Sequence, residues 1–294
     1  MIHNVKGKST GRPVSATGGP ERSPPVPETA DIRRDFFQMN MHRRIVARLA
    51  SEAGGVLSGI ERARNLMELL GLLFESNMSD GDSFEPGREI ARVIGNPVQV
   101  AQAEERIIGA VSKSSGIATA ARHALSRAGL GCQVVCGGWK KMPLEIKDLV
   151  RQAVWDGGLH SRICEGDFIY LDKNYVRIMG GVEKAVRAAN SLGRAVVVQV
   201  RGEFQPIGEE AVEAARMGAS IVMVDTGHPE DLTRVLQALG DAGLRSRVKT
   251  AFAGNILLRD LDDLVGLDLD IIDIGYAILD APCVPMRFDV IEVE

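Results

Sequence analysis

AVVVQV (195–200), GEEAVEAARMG (208–218), SIVMVDTG (220–227), PEDLTRVLQALGDAG (229–243), VKTAFAGN (248–255) and LDIIDIGYAI (269–278) follow one another through the second half of the chain. The Val/Ile runs are nearly continuous, as in strands covered on both faces. The segments between them carry apolar residues at helical spacing. Upstream, CQVVCGG (132–138), EIKDLVRQAVWDGG (145–158), FIYLDKN (168–174) and VEKAVRAANSLG (182–193) keep the same alternation. Repeated β-α units imply a parallel sheet, closed as a barrel or doubly wound. The first turn lacks G-x-G-x-x-G, which argues against a dinucleotide-binding sheet. The alternating region is shorter than the roughly 250 residues of a full (β/α)8 barrel, so an incomplete barrel is expected over 132–275.

The first half has another texture. IVARLASEAGGVLSG (45–59) reads as a strand with a Gly-Gly turn, ERARNLMELLGLLF (61–74) as a helix, and SDGDSFEPGREIARVIG (79–95) as short strands between turns. VQVAQAEERIIGAVSKSSGIATAARHALSRAG (98–129) is helical, with a break expected near Ser114-Ser115-Gly116. An α/β sandwich is expected over 34–131, with the segment 276–294 returning to it. Residues 1–33 are dense in Gly, Pro and Ser and read as a disordered tail.

Composition narrows the function. The 294 residues are 45% hydrophobic and 25% charged, with a net charge of −4. That balance disfavours a nucleic-acid backbone as the main partner. No run reaches the roughly 18 apolar residues of a membrane span, and the start lacks a signal-peptide core. Four cysteines make no disulfide framework, so a cytoplasmic location is expected. Cys132 and Cys136 read as buried apolar residues.

In a barrel of this kind the site lies at the carboxyl ends of the strands. Those ends supply Trp139, Lys140, Lys141, Lys173, Arg201, Asp225, Ala253, Gly254, Asn255 and Gly275, and the DGGLHSR turn adds His160 and Arg162. The cations point to an anionic small-molecule ligand, although each alone can be a solvated loop residue. The small residues at 253–255 and 275 let backbone N–H groups approach a phosphate. Asp225 fits a metal ligand, a ribose-hydroxyl acceptor or a helix cap. His160 fits a general acid, a ligand anchor or a surface residue. Trp139 fits a ring that stacks on a flat ligand or plugs the domain interface.

From about Ile45 to Asp289 the chain resembles the quinolinate phosphoribosyltransferase (nicotinate-nucleotide pyrophosphorylase, carboxylating) family. GGVLSGIERA, SSGIATAAR, GGLHSR, FIYLDKNYV, GGVEKAVRAA, GASIVMVD, FAGNI and DIIDIGYAILDAP carry the resemblance. It implies a sandwich packed on an incomplete, seven-stranded-like barrel. It also implies a homodimer in which one subunit's sandwich completes its partner's site. The family transfers phosphoribose from phosphoribosyl pyrophosphate to the nitrogen of quinolinate, with Mg2+, and releases carbon dioxide. By this resemblance Lys140, Arg162, Lys173 and Asp225 are catalytic, and Asp225 is the metal ligand. Trp139, Lys141, His160, Glu104, Arg106, Gln199 and Arg201 contact substrate, while Ala253, Gly254, Asn255 and Gly275 hold the 5′-phosphate.

The departures lie in the ligand shell. The family's Arg-Lys-Thr-x-Pro-Gly is Trp139-Lys140-Lys141-Met142-Pro143-Leu144, its Asn-His-Arg is His160-Ser161-Arg162, and its Lys-Asp-Asn-His is Asp172-Lys173-Asn174-Tyr175. Its glutamate is Gln199, its Ser-Gly-Gly turn is Ala253-Gly254-Asn255, and its Glu-Arg pair is Glu104-Glu105. A dicarboxylate wants several arginines in bidentate geometry, and that set is depleted here. The expectation is therefore a phosphoribosyltransferase-like enzyme acting with phosphoribosyl pyrophosphate on an aromatic or heterocyclic carboxylic acid, with quinolinate itself disfavoured. A non-catalytic relative and an enzyme of another reaction class stand as alternatives.

Overall fold

The computed structural model describes residues 31–129 and 131–294. The tail expected over 1–33 lies outside the described residues up to residue 30. Residues 31–33 are held rather than loose: Arg33 pairs with Glu105 at 2.9 Å and Gln102 donates to Asp31.

The N-terminal unit comprises α1 (Arg33–Phe36), β1 (Ile45–Ser51), β2 (Gly55–Val56), α2 (Ile60–Leu69), β3 (Leu73–Glu75), β4 (Ser83–Phe84), β5 (Glu89–Gly95) and α3 (Pro97–Arg127). The barrel unit comprises β6 (Gln133–Val135), α4 (Leu144–Asp156), β7 (Phe168–Leu171), α5 (Lys173–Met179), α6 (Val182–Asn190), β8 (Ala195–Val200), α7 (Ile207–Arg216), β9 (Ile221–Asp225), α8 (Pro229–Asp241), β10 (Lys249–Ala253) and β11 (Ile271–Asp273). After α9 (Tyr276–Leu279), β12 (Met286–Val293) pairs antiparallel with β1 and so joins the N-terminal sheet, whose order is β12-β1-β5-β3.

One helix crosses between the units. α3 starts with a capping box: Asn96 Oδ1 accepts the Gln99 N–H at 3.0 Å and Gln99 Oε1 accepts the Asn96 N–H at 2.9 Å, with Pro97 in the first turn. Val100, Ala103, Ile107 and Val111 pack into the N-terminal core, and Ile117, Ala121 and Ala124 into the barrel's helical layer. The helix does not break at Ser114-Ser115-Gly116, contrary to the sequence expectation. Those small residues mark a close crossing instead. Ser114 Oγ donates to the Ser58 carbonyl at 2.7 Å, and Ser115 Oγ accepts the Ser58 N–H at 3.1 Å. A Cβ on Gly116 would stand 2.0 Å from the Pro282 carbonyl oxygen.

The six parallel barrel strands run in the order β6-β11-β10-β9-β8-β7. The first strand thus lies beside the last, as in a closing barrel, and the seam falls between β6 and β7. Among the described residues only an isolated bridge between Val135 and His160 enters that seam, at the position of a seventh strand. Alternation along each strand sorts the side chains. Val196, Val198, Val222, Val224 and Phe252 face the helices, while Val135, Val197, Ile221, Met223, Ala251 and Ile271 fill the barrel interior. Counting by two toward the carboxyl ends, the inward positions of five of the six strands become glycine or polar: Gly137, Tyr170, Gln199, Asp225 and Asp273.

Candidate active site

Those residues line a cavity of about 340 Å³ together with Lys140, Lys141, Asp172, Lys173, Ala253, Gly254, Asn255, Gly275 and Tyr276. The cavity is at the carboxyl end of the strands, because each strand contributes its last inward residue or the turn that follows.

Asp225 is held rigidly. Gln199 Nε2 and Arg201 Nη1 both reach its Oδ2, at 2.9 and 3.0 Å. Gln199 is itself fully engaged: Nε2 also donates to Tyr170 Oη at 2.9 Å, and Oε1 accepts the Lys173 N–H at 3.0 Å. Both amide hydrogens and the amide oxygen are in use, so Gln199 orients its neighbours. Arg201 is placed by a buried glutamate on α7. The Glu210 carboxylate accepts the backbone N–H groups of Arg201, Gly202 and Phe204 at 3.0, 2.8 and 3.0 Å. Asp172 caps α5, accepting the Asn174 and Tyr175 N–H groups at 2.8 and 3.2 Å, and this cap brings Lys173 to the rim.

The turns after β9 and β10 interlock through glycine. The Gly227 N–H donates to the Ala253 carbonyl at 3.0 Å. A Cβ on Gly254, whose φ is +111°, would stand 2.5 Å from Gly227 N. Asn255 adopts φ +54°, a left-handed conformation in which asparagine is among the more tolerant residues. The outcome is a side-chain-free strip of backbone beside Asp225.

Asp273 lies beside this strip, in register with Ala253 across the β10–β11 pair. Its Oδ1 accepts the Gly137 N–H at 2.9 Å. Burial pushes its carboxyl above the usual carboxylate range and the Asp225 charge adds to this, against the Gly137 N–H, Lys140 and Lys141. Burial likewise raises the Tyr170 phenol, with Asp273 and Asp225 contributing. Lys140 Nζ lies 5.5 Å from the Tyr170 ring centroid.

The structure thus brings together Lys140, Lys141, Lys173, Gln199, Asp225, Ala253, Gly254, Asn255 and Gly275, with Arg201 directly behind Asp225. It sets the other expected residues elsewhere. Trp139 presents no open face to the cavity, because Nε1 donates to the Ser161 carbonyl at 2.7 Å and the Arg151 guanidinium covers its ring at 3.7 Å. His160 is exposed and packs edge-on against Trp155. Arg162 donates to the Gly166 carbonyl at 2.9 Å and lies over Phe168, the first residue of β7, and does not line the cavity. Glu104 and Arg106 are exposed on α3, away from this cavity. The sequence reading missed Tyr170 and Asp273. Strand parity held the signal, since Asp273 shares a face with Ile271 and Tyr170 with Phe168. Cys136 is buried, with its thiol pushed up to about 12 by loss of solvation, as expected of an apolar filler.

Comparison with known proteins agrees over nearly all of residues 31–289. The model of the quinolinate phosphoribosyl transferase N-terminal domain matches residues 31–115, and that of the C-terminal domain matches residues 117–289. A protein from Archaeoglobus fulgidus named "Probable nicotinate-nucleotide pyrophosphorylase [carboxylating]" is 26% identical over 250 residues, 84% of this chain and 95% of that protein. The human nicotinate-nucleotide pyrophosphorylase (carboxylating) is 29% identical over 238 residues, 80% of this chain and 79% of that protein. The crystal structure of nicotinate-nucleotide pyrophosphorylase from Pyrococcus furiosus shares the fold, with a TM-score of 0.78 and 23% identity over 89% of this chain and 73% of that one. Fold and cavity together define a β/α-barrel protein with its polar site at the carboxyl ends of the strands. The chain belongs to the quinolinate phosphoribosyl transferase family, a family of phosphoribosyltransferase-type enzymes. No helix among the described residues is long and apolar enough to cross a membrane.

Proposed function

We propose that this protein transfers a 5-phosphoribosyl group from phosphoribosyl pyrophosphate to the ring nitrogen of a pyridine-type aromatic acceptor. The carrying observation is the joint lining of one cavity by three lysines, a firmly held aspartate and a glycine-built backbone strip. In this reading the backbone at Gly254, Asn255 and Gly275 takes the 5′-phosphate, and the free edge of Asp225 takes the ribose hydroxyls. Lys140, Lys141 and Lys173 take the pyrophosphate. Transfer needs no protein nucleophile. The acceptor nitrogen bonds to C1′ as the C1′–oxygen bond breaks, and pyrophosphate leaves with the electron pair. The protein holds the partners in line and stabilises the charge that develops on the ribosyl centre and the leaving group.

The magnesium expected from the family would be held by Asp225. Its Oδ1 carries no hydrogen bond among the described residues, whereas no group of three His, Cys, Asp or Glu side chains among them is arranged to hold a metal. Mg2+ commonly binds through one or two carboxylates plus substrate phosphates. The ion would neutralise the pyrophosphate and would enter with it. In this reading Glu104 and Arg106, exposed on α3, serve the cavity of a second copy in a homodimer.

The test is calorimetric titration of the full chain with phosphoribosyl pyrophosphate and Mg2+, followed by assay of pyrophosphate release with pyridine acceptors. Saturable, magnesium-dependent binding that Asp225→Asn weakens at least about tenfold is expected, the loss of one charged contact. Absence of binding by the native protein would sink the reading.

A further inference from the structure

The arm that opens the described chain, residues 31–40, carries an apolar face that its own subunit leaves uncovered. Ile32, Phe36 and Met39 are 76%, 78% and 86% exposed, and α1 buries no side chain. Ile32 and Phe36 are four residues apart on a helical turn and so lie side by side, with Met39 three residues on. The arm is nonetheless firmly placed. Phe36 rests edge-on against half-buried Phe37, with ring centroids 4.9 Å apart. Gln102 on α3 donates to Asp31, and Arg33 lies between two carboxylates: Nη1 reaches Asp31 Oδ2 at 3.4 Å and Nη2 reaches Glu105 Oε1 at 2.9 Å. Exposed pairs of this kind contribute little to stability, so they set the position of the arm rather than hold the fold together. Three large apolar side chains on one short, ordered segment mark a surface that another molecule covers.

The cover is a second copy of this chain rather than the chain's own start. Residues 1–30 contain no leucine and no aromatic residue, and offer little apolar surface to match the arm. A second copy already approaches the neighbouring surface in the homodimer reading above. Gln102, Glu105 and Arg106 share one face of α3, at spacings of three and four residues. The arm is docked on Gln102 and Glu105, so it borders Arg106, which in that reading serves the partner's cavity. The two surfaces are continuous. In a two-fold dimer the contact is reciprocal, and each arm lies at the mouth of the other subunit's cavity.

Within the arm, Arg33 is arranged as an anchor. Two of its five N–H donors are engaged, and the other three have no partner among the described residues. The two carboxylates orient the guanidinium without saturating it, so a ligand does not bear the cost of ordering a long side chain. The cavity's own groups are committed in the transfer reading: the glycine strip to the 5′-phosphate, Asp225 to the ribose and the three lysines to pyrophosphate. An acid group on the acceptor is left for the other subunit. We infer that residues 31–40 dock on a second copy beside its cavity, and that Arg33 donates there to the carboxylate of an aromatic-acid acceptor. The role of Arg33 rests on the phosphoribosyl-transfer reading.

Two measurements on the full-length protein test this. Sedimentation velocity compares the native chain with a variant carrying Ile32→Ser, Phe36→Ser and Met39→Ser. All three side chains are exposed within one subunit, so the variant is expected to fold, with an unchanged circular-dichroism spectrum as the control. The native chain is expected to be a dimer, and the variant's dissociation constant to rise at least about 100-fold through lost apolar burial. A native monomer, or a variant that dimerises as tightly as the native chain, overturns the docking surface.

The second measurement mixes Arg33→Ala with Asp225→Asn and reads pyrophosphate release, with phosphoribosyl pyrophosphate, Mg2+ and either pyridine-3-carboxylate or pyridine-2,3-dicarboxylate. Each variant alone is expected to keep less than about a tenth of native activity, the loss of one charged contact. After subunit exchange the mixture should recover about a quarter, because half the dimers are mixed and one of their two sites joins a native cavity to a native arm. An Arg33 that merely supports its own subunit gives no such rescue. Native activity in Arg33→Ala, or no rescue in dimers shown to be mixed by co-purification of two tags, overturns its role. Binding of phosphoribosyl pyrophosphate without turnover of either acid overturns the role of Arg33 alone. Absence of that binding defeats the transfer reading and the role of Arg33 with it, whereas sedimentation judges the arm independently.

Discussion

Replacing Gln199 by glutamate perturbs the contact that holds Asp225. The change puts a carboxylate oxygen where Nε2 now lies, 2.9 Å from Asp225 Oδ2. Two ionised oxygens at that separation repel by about 6 kcal/mol at an effective dielectric constant of about 20. The Arg201 guanidinium, 3.0 Å from the same Oδ2, attracts both and offsets roughly half. The remaining ~3 kcal/mol corresponds to a rise of about two units, from about 4.3 to about 6.5, in the new carboxyl. A group whose folded value is raised contributes fully below its unfolded value and is lost as pH climbs through the folded one. The variant should come within about 1 kcal/mol of the native protein near pH 5, where its proton still bridges to Asp225. Near pH 8.5 it should be about 3 kcal/mol less stable, or roughly 6–12 °C lower in Tm. Thermal melts of both proteins across this range, in a chelator so that no divalent cation bridges the new pair, give the comparison. A Tm gap that is the same at pH 5 and pH 8.5 would refute the Gln199–Asp225 contact.

Lys140→Ala should weaken phosphoribosyl pyrophosphate binding at least about tenfold, whereas Arg162→Ala should change it less than about threefold, because Arg162 is engaged with Gly166 and Phe168 and does not line the cavity. Equal losses by calorimetry would contradict the placement of Arg162. Gly254→Ala forces a side chain into a left-handed turn 2.5 Å from Gly227 N, and should cost about 1–3 kcal/mol of stability along with about tenfold in ligand affinity. A variant that melts and binds like the native protein would exclude the interlocked turn. Exposed Cys283 should react with a thiol reagent at pH 8, while Cys132 and Cys136, pushed by burial up to about 11 and about 12, should react only after denaturation. Mass spectrometry of the labelled native protein distinguishes the three sites.

Much of the barrel was legible before any coordinates, because β-strands covered on both faces advertise themselves as Val/Ile runs. The capping box at Asn96–Gln99 also marks a helix start in the sequence alone. Ser114-Ser115-Gly116 was misread for a physical reason. Small residues weaken an isolated helix, yet the same residues permit the close approach of Ser58 and Pro282, and tertiary contact overrides local propensity.

The site divides along the same line. Lys140, Lys173, Asp225 and Gly254 could be named from the sequence because each ends a strand or lies in the segment that follows one, and strand ends in a β/α barrel converge. Trp139 and Arg162 also end or flank strands, but their direction depends on neighbours such as Ser161, Arg151 and Phe168 that only packing supplies. The sequence by itself therefore determined the alternation, the barrel and the ring of turns that bears the chemistry, since these follow from periodicity. Tertiary structure alone decided that Gln199 clamps Asp225, that Glu210 sets Arg201 and that Asp273 accepts the Gly137 N–H. Each of these joins residues from different strands or from a strand and a helix, and their separation in space is set by barrel closure rather than by any local pattern.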